Sequence, residues 1–139
     1  MADKIELLHA DVTQEIIGSF FDVYKTLGYG YLEAVYKKAM VVALGARGVS
    51  CVQEKLYTVQ FLGQNVGDYR ADLVVAGRVI VEVKTTAEIL QTHQTQLYNY
   101  LKVSRLQVGL ILNFGPKATY ARHILTPNFQ RPAKLVANT

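Results

Sequence analysis

The chain has 139 residues, enough for one domain with a sizeable hydrophobic core, and its single cysteine excludes an internal disulfide. Half of the residues are hydrophobic and 19% are charged, which is typical of a globular protein. No apolar run is long enough to span a membrane, and the first residues lack the apolar core of a secretion signal. We therefore expect a cytoplasmic protein with no membrane partner.

The net charge of +4 is concentrated in the second part of the chain. Residues 1–83 contain ten acidic and eight basic side chains, whereas residues 84–139 contain one acidic and seven basic side chains. A basic portion of this kind attracts polyanions such as nucleic acid, although many proteins that bind no nucleic acid are equally basic.

Two helices are predicted at the start. Residues 11–28 carry an apolar stripe at helical spacing, with Asp11 as the expected N-cap and Gly28 as the stop. After the break at Gly30, a second helix is predicted over residues 31–46. Its expected apolar stripe contains Leu32, Val35, Ala39, Met40 and Ala43.

The next stretch predicts three strands. Residues 51–62 form the first strand, and residues 69–75 and 79–84 form a hairpin around a short turn that contains Gly77. Glu54, in the first strand, is interpreted as a partly exposed residue.

Three charged residues lie inside this otherwise apolar hairpin: Asp72, Glu82 and Lys84. Glu82 and Lys84 are two residues apart, so they share one face of their strand. Asp72 joins that face only if the turn has an odd number of residues, most simply 76–78, or if a bulge corrects the register. We predict one of these two arrangements.

Two carboxylates and an ammonium on one face of a hairpin form a site of hard oxygen ligands with a lysine beside it. Such ligands suit Mg²⁺ or Mn²⁺. The alternative from these residues alone is a solvated hairpin face on which Lys84 pairs with a carboxylate.

A third helix is predicted over residues 88–103. Its apolar stripe consists of Leu90, Leu97 and Leu101. A second stripe is polar and aromatic and consists of His93, Gln96 and Tyr100. Residues 106–114 are almost continuously apolar, as expected of a strand buried on both faces, and their position after a helix indicates a parallel or mixed sheet. Residues 117–125 predict an edge strand, and residues 126–139 predict a C-terminal tail.

The hairpin residues resemble the core of the PD-(D/E)XK nuclease superfamily. Asp72, nine intervening residues and then Glu82, Val83 and Lys84 are similar to the D…ExK pattern of that superfamily, with Ala71 where its proline stands.

Two further motifs carry the same resemblance. Gly30, Glu33 and Tyr36 spell G-x-x-E-x-x-Y, which is similar to the signature of the bacterial GxxExxY group of the superfamily. Gln96 and Tyr100 spell Q-x-x-x-Y, which resembles the motif that follows ExK in RecB-like nucleases.

The predicted order of elements agrees with this resemblance. Helices, three strands, a helix and a strand give the α-β-β-β-α-β core of a restriction-endonuclease-like α/β fold, with a mixed central sheet flanked by helices. We expect residues 1–125 to form a single domain of this kind.

The resemblance also implies a function, which is metal-dependent hydrolysis of phosphodiester bonds in nucleic acid, with DNA favoured. The implied catalytic residues are Asp72, Glu82, Lys84, Gln96 and Tyr100. The implied ligands of Mg²⁺ or Mn²⁺ are Glu33, Asp72, Glu82 and the backbone carbonyl of Val83.

The alternative is a non-catalytic protein that uses the same fold to bind nucleic acid or to form an oligomeric scaffold. A homo-oligomer, or a protein partner that supplies specificity, is compatible with both functions. DNA and RNA, single and double strands, and exonuclease and endonuclease action all fit the motifs.

Overall fold

The computed structural model describes residues 8–125, which form a five-stranded sheet with two helices against one face and a third helix against the other. In chain order the elements are α1 (Ala10–Leu27), α2 (Glu33–Ala46), β1 (Cys51–Phe61), β2 (Gln64–Val75), β3 (Val79–Lys84), α3 (Gln91–Ser104), β4 (Val108–Phe114) and β5 (Ala118–Ile124). The tail predicted at 126–139 lies outside the described residues.

The strands lie in the sheet in chain order, from β1 to β5. Strands β1, β2 and β3 are antiparallel neighbours, β3 and β4 are parallel, and β5 is antiparallel to β4 at the edge. The parallel strands β3 and β4 are connected through α3, which agrees with the prediction from the position of the apolar run after a helix. All of β4 is buried, as its apolar sequence predicted. The mixed sheet expected from the sequence is therefore confirmed.

The two faces of the sheet contribute to different core layers. In β3, Val81 and Val83 pack with α1 and α2, whereas Ile80 packs in the layer under α3. Because side chains alternate along a strand, Glu82 and Lys84 share the α3 face with Ile80. Glycine at 109 lets α3 approach β4 closely, since a Cβ there would lie 2.7 Å from Leu97.

The start of α1 differs from the prediction. The helix begins at Ala10, and Asp11 lies in its first turn instead of serving as the N-cap. The Asp11 carboxylate accepts a hydrogen bond of 3.1 Å from Arg78, so tertiary contact has replaced local capping. The predicted stop is confirmed, because Gly28 has a φ of 66° and its N–H donates to the carbonyl of Tyr24.

The predicted apolar stripe of α2 is partly wrong. Met40 is fully buried and Ala39 and Ala43 pack against the core, as predicted, but Leu32 is 80% exposed and Val35 is also exposed. The buried residues are spaced four apart: Tyr36, Met40 and Leu44. The ring of Tyr36 stacks on Phe114 at 4.3 Å and its hydroxyl donates to the carbonyl of Gly28 at 2.7 Å, and these contacts fix the rotation of the helix.

Helix α3 begins three residues later than predicted, at Gln91. Leu90 is its N-cap and is 45% exposed, so the predicted place of Leu90 in the apolar stripe is wrong. Leu97 and Leu101 are fully buried, as predicted. No helix within residues 8–125 is long and apolar enough to cross a membrane.

Candidate functional site

The turn between β2 and β3 has an odd number of residues, which is one of the two arrangements predicted from the sequence. Val75 pairs with Val79, so the turn consists of residues 76–78, and Ala76 and Gly77 have φ angles of 52° and 66°. This register places Asp72 opposite Glu82 on the face that packs against α3. The central prediction about the hairpin is therefore confirmed.

The two carboxylates lie where the backbone ladder between β2 and β3 ends, one step beyond the pair of Leu73 and Val81. The backbone N–H of Asp72 donates to Oε2 of Glu82 at 3.0 Å. The N–H of Val83 donates to Oδ2 of Asp72 at 2.8 Å. Each carboxylate therefore takes the place of a backbone acceptor, which holds both side chains between the diverging strands.

Burial of these two acids changes their electrostatics. Glu82 is 5% exposed and Asp72 is 8% exposed. Burial, and secondly the negative charge of Asp72, raise the pKa of Glu82 to about 8. The charge of Lys84 lowers the pKa of Glu82, but it does not offset the burial. The pair is therefore a buried acidic region in which Glu82 resists ionisation.

Glu33 lies in the first turn of α2 and faces this region. Burial raises the pKa of the Glu33 carboxyl, and the charge of Asp72 raises it further. Lys84 and Lys37 act in the opposite direction. Glu33 interacts with the pair through its charge, and no hydrogen bond joins Glu33 to Asp72 or Glu82 in the described part of the chain.

Lys37 is a charged residue of the site that the sequence analysis missed. Its ammonium lies 2.8 Å from Oε1 of Glu54 and 3.3 Å from Oδ1 of Asp72. The hydrogen bond to Glu54 is the main reason that the pKa of Lys37 rises to about 12. The only signal for this role in the sequence is that Lys37 follows Glu33 by four residues, on the same face of the helix.

Glu54 reaches the site through an irregular backbone. Its φ is 52°, and its side chain is partly exposed, as interpreted from the sequence. Its ion pair with Lys37 nevertheless joins β1 to the acidic pair.

Tyr100 of α3 also lies beside the acids, whereas Gln96 does not contact them. Burial raises the pKa of Tyr100 to about 12, with smaller contributions from the charges of Glu82 and Asp72. Gln96 is exposed one helical turn earlier, and within residues 8–125 its side chain makes no hydrogen bond to either acid.

His93 has a structural role at the start of α3. Its Nδ1 accepts the N–H of Leu90 at 3.0 Å. Burial, and then the charge of Lys84, lower the pKa of His93.

The chain immediately after Lys84 is held by Asn113 of β4. Asn113 is fully buried, and its side-chain amide forms two hydrogen bonds of 2.9 Å with the backbone N–H and carbonyl of Thr86. Glycine is required at 115, because a Cβ there would lie 2.1 Å from the Thr86 carbonyl oxygen. Asn113 and Gly115 thus position the segment that carries Lys84, and neither was identified from the sequence.

The donors of the site are hard oxygens of acidic side chains, two of them buried, which fits Mg²⁺ or Mn²⁺. Asp72 and Glu82 are the two acids brought together. Across residues 8–125, no group of three or more His, Cys, Asp or Glu side chains is arranged to hold a metal ion. Glu33 would have to move closer to join a metal centre.

The chain matches a known protein family. A model of the PD-(D/E)XK nuclease superfamily matches residues 10–124. No curated protein matches the chain significantly.

Two solved structures are similar to the chain. The crystal structure of SSO0001 has 18% sequence identity and a TM-score of 0.56, and the match covers 76% of this chain and 56% of that one. The Holliday junction resolvase Hjc of Archaeoglobus fulgidus has 16% identity and a TM-score of 0.41, over 66% of this chain and 75% of that one. The chain thus spans a little over half of SSO0001, and that likeness shows a shared fold. The restriction-endonuclease-like α/β fold predicted from the sequence is confirmed.

Proposed function

The chain belongs to the PD-(D/E)XK nuclease superfamily, and from that premise we propose that it is a metal-dependent nuclease that hydrolyses phosphodiester bonds of nucleic acid. The observation that carries this proposal is the placement of Asp72 opposite Glu82, buried between diverging strands and followed by Lys84. A protein with no use for these charges would gain stability by replacing them, because two buried carboxylates repel each other.

The proposed metal is Mg²⁺ or Mn²⁺, and its ligands are Asp72, Glu82 and the carbonyl of Val83, with Glu33 completing the site. When bound, such an ion acidifies a water molecule and neutralises negative charge on the phosphate in the transition state. The two acids are already held by backbone N–H groups, so little reorganisation of the strands is needed.

Other residues of the chain act on the substrate in this proposal. Lys84 shares the face of Glu82, where its ammonium donates to the scissile phosphate and orients the attacking water. Tyr100 and Gln96, one turn apart on α3, donate hydrogen bonds to the nucleic-acid backbone without adding charge. Gln96 is exposed and therefore accessible to a substrate.

We also propose that the chain belongs to the GxxExxY group and that Q-x-x-x-Y is its helical motif, with residues 1–125 as one domain. The tyrosine of the first motif has a structural task here. Tyr36 is buried and its hydroxyl bonds the carbonyl of Gly28 and the N–H of Tyr31. These bonds fix the segment that precedes Glu33.

A cleavage assay tests the proposal. Labelled single- and double-stranded DNA and RNA are incubated with Mg²⁺ or Mn²⁺ and with wild type, Asp72→Ala, Lys84→Ala or a control, Glu88→Ala. Glu88 is an exposed acid four residues beyond Lys84. Its replacement by alanine therefore removes one negative charge, as Asp72→Ala does, but outside the site. Thermal melting of each variant confirms that it is folded.

We expect wild type and Glu88→Ala to cleave one class of substrate, DNA in preference to RNA, and both site variants to lose cleavage by a factor of at least about 100. Cleavage that survives in folded Asp72→Ala protein would reject the site. No cleavage of any substrate, with no heat on adding Mn²⁺, would reject the nuclease and favour a non-catalytic scaffold.

A further inference from the structure

A groove lies between the β1–β2 hairpin and the C-terminal half of α3. Its volume is about 580 Å³. Most of its lining side chains carry a hydrogen-bonding group: Thr58, Gln60, Tyr69, Asn99, Lys102 and Arg105.

The charged residues that line this groove are basic. Lys102 and Arg105 are both exposed, and none of the described residues that line the groove is acidic. Neither cation forms an ion pair within the described residues, in contrast to Lys37 and Arg47, which are each held by two carboxylates. Two exposed cations without a protein partner are suited to a polyanion.

Tyrosine rings lie next to these cations. Tyr69 is half-buried in the groove and meets Tyr100 edge to face, with the ring centroids 5.4 Å apart. Tyr57 is opposite Tyr69 on the neighbouring strand, and the ammonium of Lys55 lies 5.4 Å from the centre of its ring. A positively charged groove that presents an aromatic ring is characteristic of surfaces on which unpaired bases stack.

Tyr100 connects this groove to the acidic pair. Its ring contacts Tyr69, with the ring centroids 5.4 Å apart, and the charges of Glu82 and Asp72 add to the effect of burial on its hydroxyl. A strand lying over Tyr69 would therefore lie next to Tyr100, which is proposed above to contact the substrate backbone.

We propose that this groove binds single-stranded nucleic acid, with Lys102 and Arg105 on backbone phosphates and a base stacked on Tyr69. A duplex would use the same cations, but its paired bases offer no face to a tyrosine ring, whereas an unpaired base does. That the bound strand is the substrate rests on the proposed nuclease function; the binding itself does not.

The test is a binding measurement in EDTA, where cleavage is blocked. Fluorescence anisotropy is recorded with a labelled oligothymidine of about 20 nucleotides, longer than the roughly 4–16 nucleotides that such sites cover. The same measurement is made with an abasic strand of equal phosphate number and with a duplex of equal length. The variants are Lys102→Ala/Arg105→Ala, Tyr69→Ala and Tyr69→Phe. The control Lys25→Ala/Lys38→Ala removes two exposed positive charges from α1 and α2.

We expect Lys102→Ala/Arg105→Ala to bind oligothymidine at least about tenfold more weakly than wild type does. The slope of log K against log salt should become shallower by about 1.4, because two phosphate contacts are lost. Tyr69→Ala should weaken binding of oligothymidine about tenfold and of the abasic strand hardly at all, whereas Tyr69→Phe should bind as wild type does. The control should stay within about twofold of wild type at matched salt.

Two results would overturn the inference in protein that melts as wild type does: equal affinity of the groove variant and the control, or equal affinity for the abasic and base-carrying strands. Equal affinity for duplex and single strand would overturn it as well. These outcomes are independent of cleavage, so an inactive protein that binds through the groove would reject only the nuclease proposal. Cleavage by a protein whose groove variants bind nucleic acid as the control does would reject only this inference.

Discussion

Replacing Glu82 with glutamine should stabilise the metal-free protein at and above neutral pH, although Glu82 is proposed to be essential for activity. The folded protein buries this carboxyl next to Asp72, and its pKa rises to about 8 from an ordinary value of 4.5. Glutamine has the same shape and an oxygen that accepts the N–H of Asp72, but it carries no charge. The substitution therefore removes the cost of ionising Glu82 and keeps its hydrogen bond.

The size and sign of the effect follow from proton linkage. Between pH 4.5 and 8, the folded wild type keeps a proton on Glu82 that the unfolded chain has released, so the free energy of unfolding falls as pH rises. A pKa difference of 3.5 corresponds to about 5 kcal/mol at most, a large share of the roughly 5–15 kcal/mol of a typical domain. The fall in the free energy of unfolding is complete above about pH 8, where Glu82 is ionised in both the folded and the unfolded state.

Urea denaturation in EDTA from pH 5 to pH 9 measures this effect, with Glu88→Gln as the control. We expect the stability of wild type and Glu88→Gln to fall over this range and that of Glu82→Gln to fall much less. Parallel pH profiles for all three proteins would refute the argument that Glu82 is ionised at a cost in the folded state.

Two other substitutions test the neighbours of the acidic pair. Lys37→Met should lower the free energy of unfolding of metal-free protein by about 1 kcal/mol, because Asp72 loses its counter-ion. The same substitution should tighten Mn²⁺ binding severalfold in calorimetry, because the ammonium no longer competes with the metal for Asp72. Lys38→Met should change neither value, and a Lys37→Met protein that binds Mn²⁺ more weakly would show that the lysine supports the ion. Asn113→Ala should cost about 2–3 kcal/mol in urea denaturation, because two buried hydrogen bonds to Thr86 are lost; a loss below about 0.5 kcal/mol would mean that solvent or a neighbour replaces them.

Much of the fold was predictable because its signals are local or nearly local. Glu82 and Lys84 are two residues apart, which places both side chains on one face of β3. A turn of three residues then places Asp72 opposite Glu82, as the register confirms. The almost continuous apolar run that became β4 predicted a buried strand in a parallel or mixed sheet, and β4 is buried and parallel to β3.

The errors arose where tertiary contacts outweighed local pattern. The apolar residues of α2 permit more than one stripe, and the stacking of Tyr36 on Phe114 selected a face that leaves Leu32 exposed. Asp11 is a good N-cap by type, but its carboxylate is used by Arg78, which is 67 residues away in the chain.

The residues of the site that escaped prediction act over long sequence separations. Lys37 meets Asp72 across 35 residues, and Asn113 meets Thr86 across 27. Lysine on a helix and asparagine in a strand are common as exposed residues, so neither composition nor periodicity distinguishes these two. Their roles depend on the pairing of β4 with β3 and on the packing that brings Lys37 of α2 to Asp72.

The most direct test of the metal site is calorimetric titration of Mn²⁺ into wild type, Asp72→Asn and Asp68→Asn. Asp68 is an exposed aspartate on the same strand, hydrogen-bonded only by Asn65 among the described side chains, so it controls for the loss of one negative charge. We predict saturable binding to wild type and Asp68→Asn and at least about a tenfold loss of affinity in Asp72→Asn. Indistinguishable isotherms for the three proteins would contradict the assignment of the Asp72–Glu82 pair as the metal site.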